Sequence, residues 1–271
     1  MTDSFAINKA RWDEVVEIHA RSPFYRVAQF LAGEDVRYPI EQAEVGPVTG
    51  KRVVHLQCHF GLDTLCLARQ GAIATGLDFA PSAIAKARDL SRRSGLPARF
   101  VEGNVYDAPQ LIPERFDLVY VTWGAICWLP DIAGWARVVA QMLAPGGYLY
   151  LLEAHPFALA LDQAATEAPI LPAFDYFQGA APLVFTEDGT YADLKAEIRH
   201  RESHEWNHPL SSILNALGAA GLVLDWLHEH DSLAWPLFKC LEEGPDRMFR
   251  MPAGRPRLPL SFSLKAIRPL V

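Results

Sequence analysis

The sequence predicts an α/β fold built on a doubly wound, mostly parallel sheet, and three observations carry that prediction. Residues 53–78, VVHLQCHFGLDTLCLARQGAIATGLD, run as strand, turn, helix, strand and carboxylate, the layout of a nucleotide-binding unit. Downstream, apolar runs alternate with helical patterns of 10–15 residues, which implies βαβ units. The chain has 271 residues, half of them hydrophobic and 21% charged, enough for one large core.

The elements follow in order. Residues 8–33 carry helical spacing through Trp12, Val15, Val16, Phe24, Val27 and Phe30. Ser22-Pro23 divides them into two helices, and 34–51 reads as a linker. Strands are expected at 53–57, 73–77, 98–101, 116–121 and 146–152. Helices are expected at 61–70, 81–94 and 131–143, with Pro81 starting the second and Ala144-Pro145-Gly146-Gly147 closing the third. After Glu153 the rhythm changes. Residues 155–206 read as an insertion with a hairpin turn at Asp188-Gly189. Regular structure returns as a helix at 209–220 and strands at 222–228 and 260–268, while 241–259 reads as a loop. By domain, 1–50 is a helical lid and linker, 51–271 the main domain, and 155–206 a cap within it.

Composition excludes several classes. The four cysteines have no CxxC spacing and sit in apolar surroundings, so they read as reduced cytoplasmic thiols. No apolar run reaches about 18 residues, so no membrane partner is expected. The first 20 residues lack a signal-peptide pattern. Net charge is −7 without a basic stripe, which argues against a nucleic-acid partner. Oligomeric state is not legible.

Five motifs, in order, carry a resemblance: HLQCHFGLDT (55–64), GLDFAPSAIAKAR (76–88), FVEGNVYDAP (100–109), FDLVYVTWGAICWLPD (116–131) and MLAPGGYLYLLE (142–153). Together with LSFSLKAIRP (260–269) they resemble the class I S-adenosylmethionine-dependent methyltransferases over 50–270. The resemblance implies a Rossmann-like sheet of seven strands, the last antiparallel beside the fifth, and S-adenosyl-L-methionine as cofactor. It implies cofactor contacts at Gln57, His59, Gly61, Asp78, Phe79, Asn104, Val105, Thr122 and Trp123. Asp78 ends the second strand, where a carboxylate accepts both ribose hydroxyls. The first loop departs from the family. Three glycines and an acid are usual there; this chain has His55, Gln57 and His59 and keeps Gly61.

Methyl transfer is an in-line displacement, so alignment supplies much of the rate. A base is needed only for a nucleophile that carries a proton. His155, just past the fifth strand, is the candidate, with His204 a weaker one. A hydrogen-bonded structural histidine is the alternative for His155. Trp12, Tyr25, Trp128, His155 and Trp206 are expected to line an acceptor pocket, although each aromatic also suits a core. His200, His204 and His208 are four apart and share a face. With Glu229 they suggest a metal site, but His208-Pro209 starts a helix and breaks that face, so a polar pocket wall is the preferred reading and no metal is expected. The expected function is methyl transfer to a small molecule at oxygen or nitrogen. Thiol or halide methylation, and a cofactor-binding scaffold without turnover, are the alternatives.

Overall fold

The computed structural model describes residues 3–164, 166, 170–177 and 179–270. Five parallel strands form the scaffold: β1 (Arg52–Leu56), β2 (Ile73–Asp78), β3 (Arg99–Glu102), β4 (Phe116–Thr122) and β5 (Leu143–Ala154). Helices α1 (Ser4–Arg21), α2 (Val27–Leu31) and α3 (Pro39–Glu44) precede β1. Between the strands lie α4 (Leu62–Arg69), α5 (Pro81–Ser94), the short α6 (Ala108–Leu111) and α7 (Ile132–Met142). Next come α8 (Pro156–Leu159), the pair β6 (Leu183–Thr186) and β7 (Glu202–Glu205), α9 (Leu210–Ala219) and β8 (Val223–His230). Three two-residue strands, β9 (Ser232–Leu233), β10 (Glu242–Glu243) and β11 (Phe249–Arg250), lead to β12 (Ser261–Ile267).

The main sheet runs β3-β2-β1-β4-β5-β12-β8, with β12 antiparallel to both neighbours. Its central strands are apolar on both faces because helices cover both sides, as parallel sheets require. Trp135, Val139 and Met142 of α7 pack on one face, and Leu65, Ile84, Ala87 and Leu90 of α4 and α5 belong to a second core cluster. The order reverses between β1 and β4, so the ligand crevice falls at the carboxyl ends of these strands.

Several expectations are corrected. The 34–51 linker holds α3, started by Pro39 and closed by the Glu41 carboxylate, which accepts the Tyr38 N–H at 2.9 Å. Asp188-Gly189 is no tight turn: β6 and β7 pair Thr186 with Glu202 and are joined by a long excursion. The 241–259 loop contributes β10 and β11, which pair with each other, and β11 also pairs with β9.

The N-terminal helix is tied to the insertion, not only to the sheet. The Asn8 side chain exchanges two hydrogen bonds with the His204 backbone, at 2.8 and 2.9 Å. Arg11 donates to the Glu187 carboxylate and to the carbonyls of Gly189, His200 and Arg201. Ser22 Oγ donates to Ala192 O. The N-terminal segment and residues 187–204 thus form one continuous roof.

Candidate active site

A cavity of about 670 Å³ opens beneath that roof at the strand ends, within the range of small-ligand sites. Its floor is built by chain geometry. Asp78 ends β2 and is buried; Oδ2 accepts the His59 N–H at 2.8 Å and Oδ1 the Ala80 N–H at 3.0 Å. Each oxygen keeps lone-pair capacity toward the cavity. Burial pushes its carboxyl up to about 6, against the pull of those backbone donors.

Gln57 and His59 stand where the family carries glycine, yet both adopt left-handed backbone, φ 58° and 50°. The loop therefore keeps a glycine-like path, at roughly 1 kcal/mol or more per residue. The side chains turn aside. Gln57 Nε2 donates to Ala125 O at 2.7 Å, while its buried Oε1 has no partner among the described residues. His59 Nε2 lies 3.0 Å from His19 Nδ1 on α1. Burial, and after it the neighbouring Arg11 charge, takes His19 down to about 3; burial and then His19 take His59 well below its usual value. Two neutral rings share one hydrogen bond. His55 Nδ1 lies 2.9 Å from Thr64 Oγ1, and burial lowers it to about 3.

Phe79, Asn104, Val105, Thr122 and Trp123 line the same cavity. Asn104 Oδ1 accepts the Tyr106 N–H, which orients the turn after β3. Gly61 does not line the cavity. It caps α4 at φ 74°, and a Cβ there would come within 2.5 Å of the Phe100 ring, so it serves helix–strand packing instead of cofactor contact.

Trp12, Tyr25, Trp128 and Trp206 line the cavity as well. The Trp12 ring meets His59 and Trp128 edge-on at 5.1 and 5.2 Å. The Tyr25 and Tyr191 hydroxyls are hydrogen-bonded, closing the roof. His155 is a correction. Ala154 and Pro156 line the cavity but His155 does not. Its Nδ1 caps α8 by accepting the Phe157 N–H at 3.1 Å, so the ring proton sits on Nε2, 3.1 Å from Glu229 Oε1. His204 is the second correction. It is buried between Ser4 Oγ (2.8 Å) and Glu202 Oε1 (2.9 Å), away from the cavity, and anchors α1 to β7. His200 is exposed, while His208 lines the cavity and bonds to Leu129 O. Among the described residues no three His, Cys, Asp or Glu side chains converge as metal ligands.

The sequence singles out Glu205 only as a carboxylate that could meet a cationic substrate, and the wall carboxylates Asp63 and Glu153 are not singled out at all. Glu153 ends β5 and accepts three backbone N–H groups, from Gly124 and Ala125 at 2.6 Å and Ile126 at 2.9 Å. Burial pushes it up to about 7 against those donors. The missed signal was an acid closing an apolar strand, the same signal that marked Asp78.

The sequence profile of the methyltransferase domain matches residues 54–151. A ubiquinone biosynthesis O-methyltransferase of Xanthomonas euvesicatoria is 35% identical over 129 residues, 46% of this chain and 54% of that protein. The chain spans about half the length of the curated relatives it matches, or somewhat less. An S-adenosylmethionine-dependent methyltransferase of Mesorhizobium loti shares the fold at TM-score 0.57 and 22% identity, covering 88% of this chain and all of that one. One from Clostridium acetobutylicum does so at TM-score 0.60 and 14% identity, covering 97% and 99%. Residues 54–151 thus match the methyltransferase domain, and the sheet around them has the fold of S-adenosylmethionine-dependent methyltransferases. The crevice residues fit S-adenosyl-L-methionine: a carboxylate for the ribose, left-handed turns at Gln57 and His59, and a Gln57 oxygen without a partner among the described residues beside them.

Proposed function

We propose that the protein transfers a methyl group from S-adenosyl-L-methionine to oxygen or nitrogen of a small-molecule acceptor. The observation that carries this reading is one cavity joining Asp78 to the wall formed by Trp128, Glu205 and Trp206. The bound cofactor supplies an electrophilic methyl on a sulfonium. Asp78, Phe79, Asn104 and the backbone of Val105 hold the nucleoside, and Gln57, His59, Thr122 and Trp123 shape the crevice beside it. Residues 1–50 act as lid and 155–206 as cap, excluding water from the displacement. Glu205, pushed up to about 7 by burial, takes the acceptor's proton near neutral pH. Four free cysteines suit a reducing cytoplasm. Among the described residues no helix is long and apolar enough to cross a membrane.

The test is transfer of labelled methyl from the cofactor into a bacterial metabolite extract, read by mass spectrometry. A methylated oxygen or nitrogen compound is expected. A methylated thiol or halide would move the acceptor class. Tight binding of S-adenosylhomocysteine with no methylated product would leave the scaffold reading in its place.

A further inference from the structure

Of the three histidines spaced four apart, only His208 lines the cavity, and methyl transfer with Glu205 as base leaves it without a task. It follows β7, where residues 205–208 run along the loop after β4. Two bonds set that path. The Trp206 N–H donates to Cys127 O at 2.7 Å, and His208 Nε2 lies 2.8 Å from Leu129 O. The two links are two residues apart on both segments, so the histidine is registered against the loop that carries Trp128. Trp128 is itself held, since its Nε1 donates to Gly124 O at 2.6 Å. Ligands of open α/β sheets sit beyond the carboxyl ends of the strands, so this loop borders the acceptor's side of the cavity.

The bond to Leu129 decides the chemistry of the ring. A carbonyl only accepts, so Nε2 carries the proton. Burial lowers the ring's basicity, against the pull of the Leu129 and Ile126 carbonyls and the Asp131 charge, so the ring is neutral near pH 7. In a neutral imidazole protonated on Nε2, Nδ1 holds a lone pair. That nitrogen has no hydrogen-bond partner among the described residues. The other histidines on the wall differ: His19 and His59 are bonded to each other, and His55 to Thr64. His208 is thus a half-buried ring with one nitrogen tied to backbone and the other uncommitted.

We propose that His208 Nδ1 binds the acceptor by taking a hydrogen bond from an O–H or N–H that is not the methylated group. This rests on the methyl-transfer reading above and narrows the acceptor to molecules with at least two protic groups. At the first, the proton passes to Glu205, the freed electron pair forms the bond to the methyl carbon, and the carbon–sulfur pair leaves with sulfur. The second keeps its proton and fixes the molecule on His208. A halide has no such second donor.

His208→Gln separates the two ring nitrogens. The glutamine amide keeps a donor for Leu129 O and has no lone pair at the Nδ1 position. With labelled cofactor saturating and the bacterial metabolite extract as acceptor source, initial rates are followed against extract dilution. The variant is expected to raise the apparent acceptor KM at least tenfold, keep the maximal rate within threefold, and bind S-adenosylhomocysteine within twofold of wild type. An unchanged acceptor KM overturns the proposal. An equal loss of S-adenosylhomocysteine affinity overturns it as well, since the ring then serves only the loop. So does a labelled product that retains no O–H or N–H. If His208→Gln does not fold, nitrogen-15 resonances of the wild-type ring decide: the Nδ1 signal is expected to move when the isolated product is added, and an unmoved signal overturns the assignment. Wild-type protein that makes no labelled product defeats the methyl-transfer reading itself, a separate outcome.

Discussion

The two halves of the cavity are built differently. The half proposed to hold the nucleoside comes from one stretch, residues 55–124, where β1, β2, β3 and β4 end side by side. Its key carboxylate is fixed by backbone N–H groups three and two positions past strand ends. The acceptor half gathers Tyr25, Tyr191, Trp206 and Trp235 from segments far apart in sequence, and its shape depends on α1 docking against β7. The first half is a property of the sheet; the second exists only once the roof has closed. Glu153 sits at the seam, since it ends β5 but holds the loop after β4.

Breaking the seam should have the largest effect. Glu153→Ala leaves three buried N–H groups without their acceptor, at about 1–3 kcal/mol each. A loss of roughly 3 kcal/mol or more is expected in urea unfolding, with less for Glu153→Gln, which keeps one acceptor oxygen. A loss under about 1 kcal/mol would mean that the loop holds itself in place and the seam is not structural.

Asp78→Ala attacks the nucleoside half alone. S-adenosylhomocysteine and methylthioadenosine should both weaken at least tenfold, about 1.4 kcal/mol, as expected for lost charge-assisted bonds. Unchanged affinity for both would show that the ribose lies elsewhere.

The same residue gives the pH dependence its sign. Ribose hydroxyls donate to the ionised carboxylate, and Asp78 titrates at about 6 in the free protein because of burial. Affinity is present above pH 6 and falls as pH drops through it, approaching tenfold per unit. Methylthioadenosine isolates this effect because it carries no ionisable amino-acid end. His19, His55 and His59 stay neutral through this window. A flat methylthioadenosine profile from pH 7 to 5 would contradict the assignment, and Asp78→Asn should be flat.

The nucleoside half was legible in the sequence because strand ends are. An apolar run closed by an acid places Asp78, and the turn after β3 places Asn104, without any knowledge of distant chain. Even the loss of glycine at Gln57 and His59 left the path intact, since surrounding contacts impose left-handed backbone on ordinary residues. Tyr191 and Arg247 sit in irregular segments with no periodicity to read, and only long-range packing brings them to the wall. Asp63 reads as part of a helix because it lies in the first turn of α4. α3 was taken for linker because a six-residue helix has too few turns to show a stripe.

His155 shows why position alone does not make a site, and its replacement should have the smallest effect. It follows β5 on the ligand-facing edge of the sheet, where a base would be placed. The direction of its ring is decided by α8, whose first turn exposes N–H groups that need an acceptor. With Nδ1 committed to Phe157 N–H and Nε2 facing Glu229, neither nitrogen reaches the cavity. Burial also lowers its basicity, partly offset by Glu229. His155→Ala is therefore expected to cost about 1 kcal/mol of stability, as a lost helix cap does. Turnover per folded molecule should stay within twofold of wild type at neutral pH. Glu205→Gln, by contrast, should slow turnover on an oxygen acceptor while leaving S-adenosylhomocysteine affinity intact. If the histidine variant lost turnover and the glutamate variant kept it, proton removal would have to be reassigned to a ring that swings into the cavity when the acceptor binds.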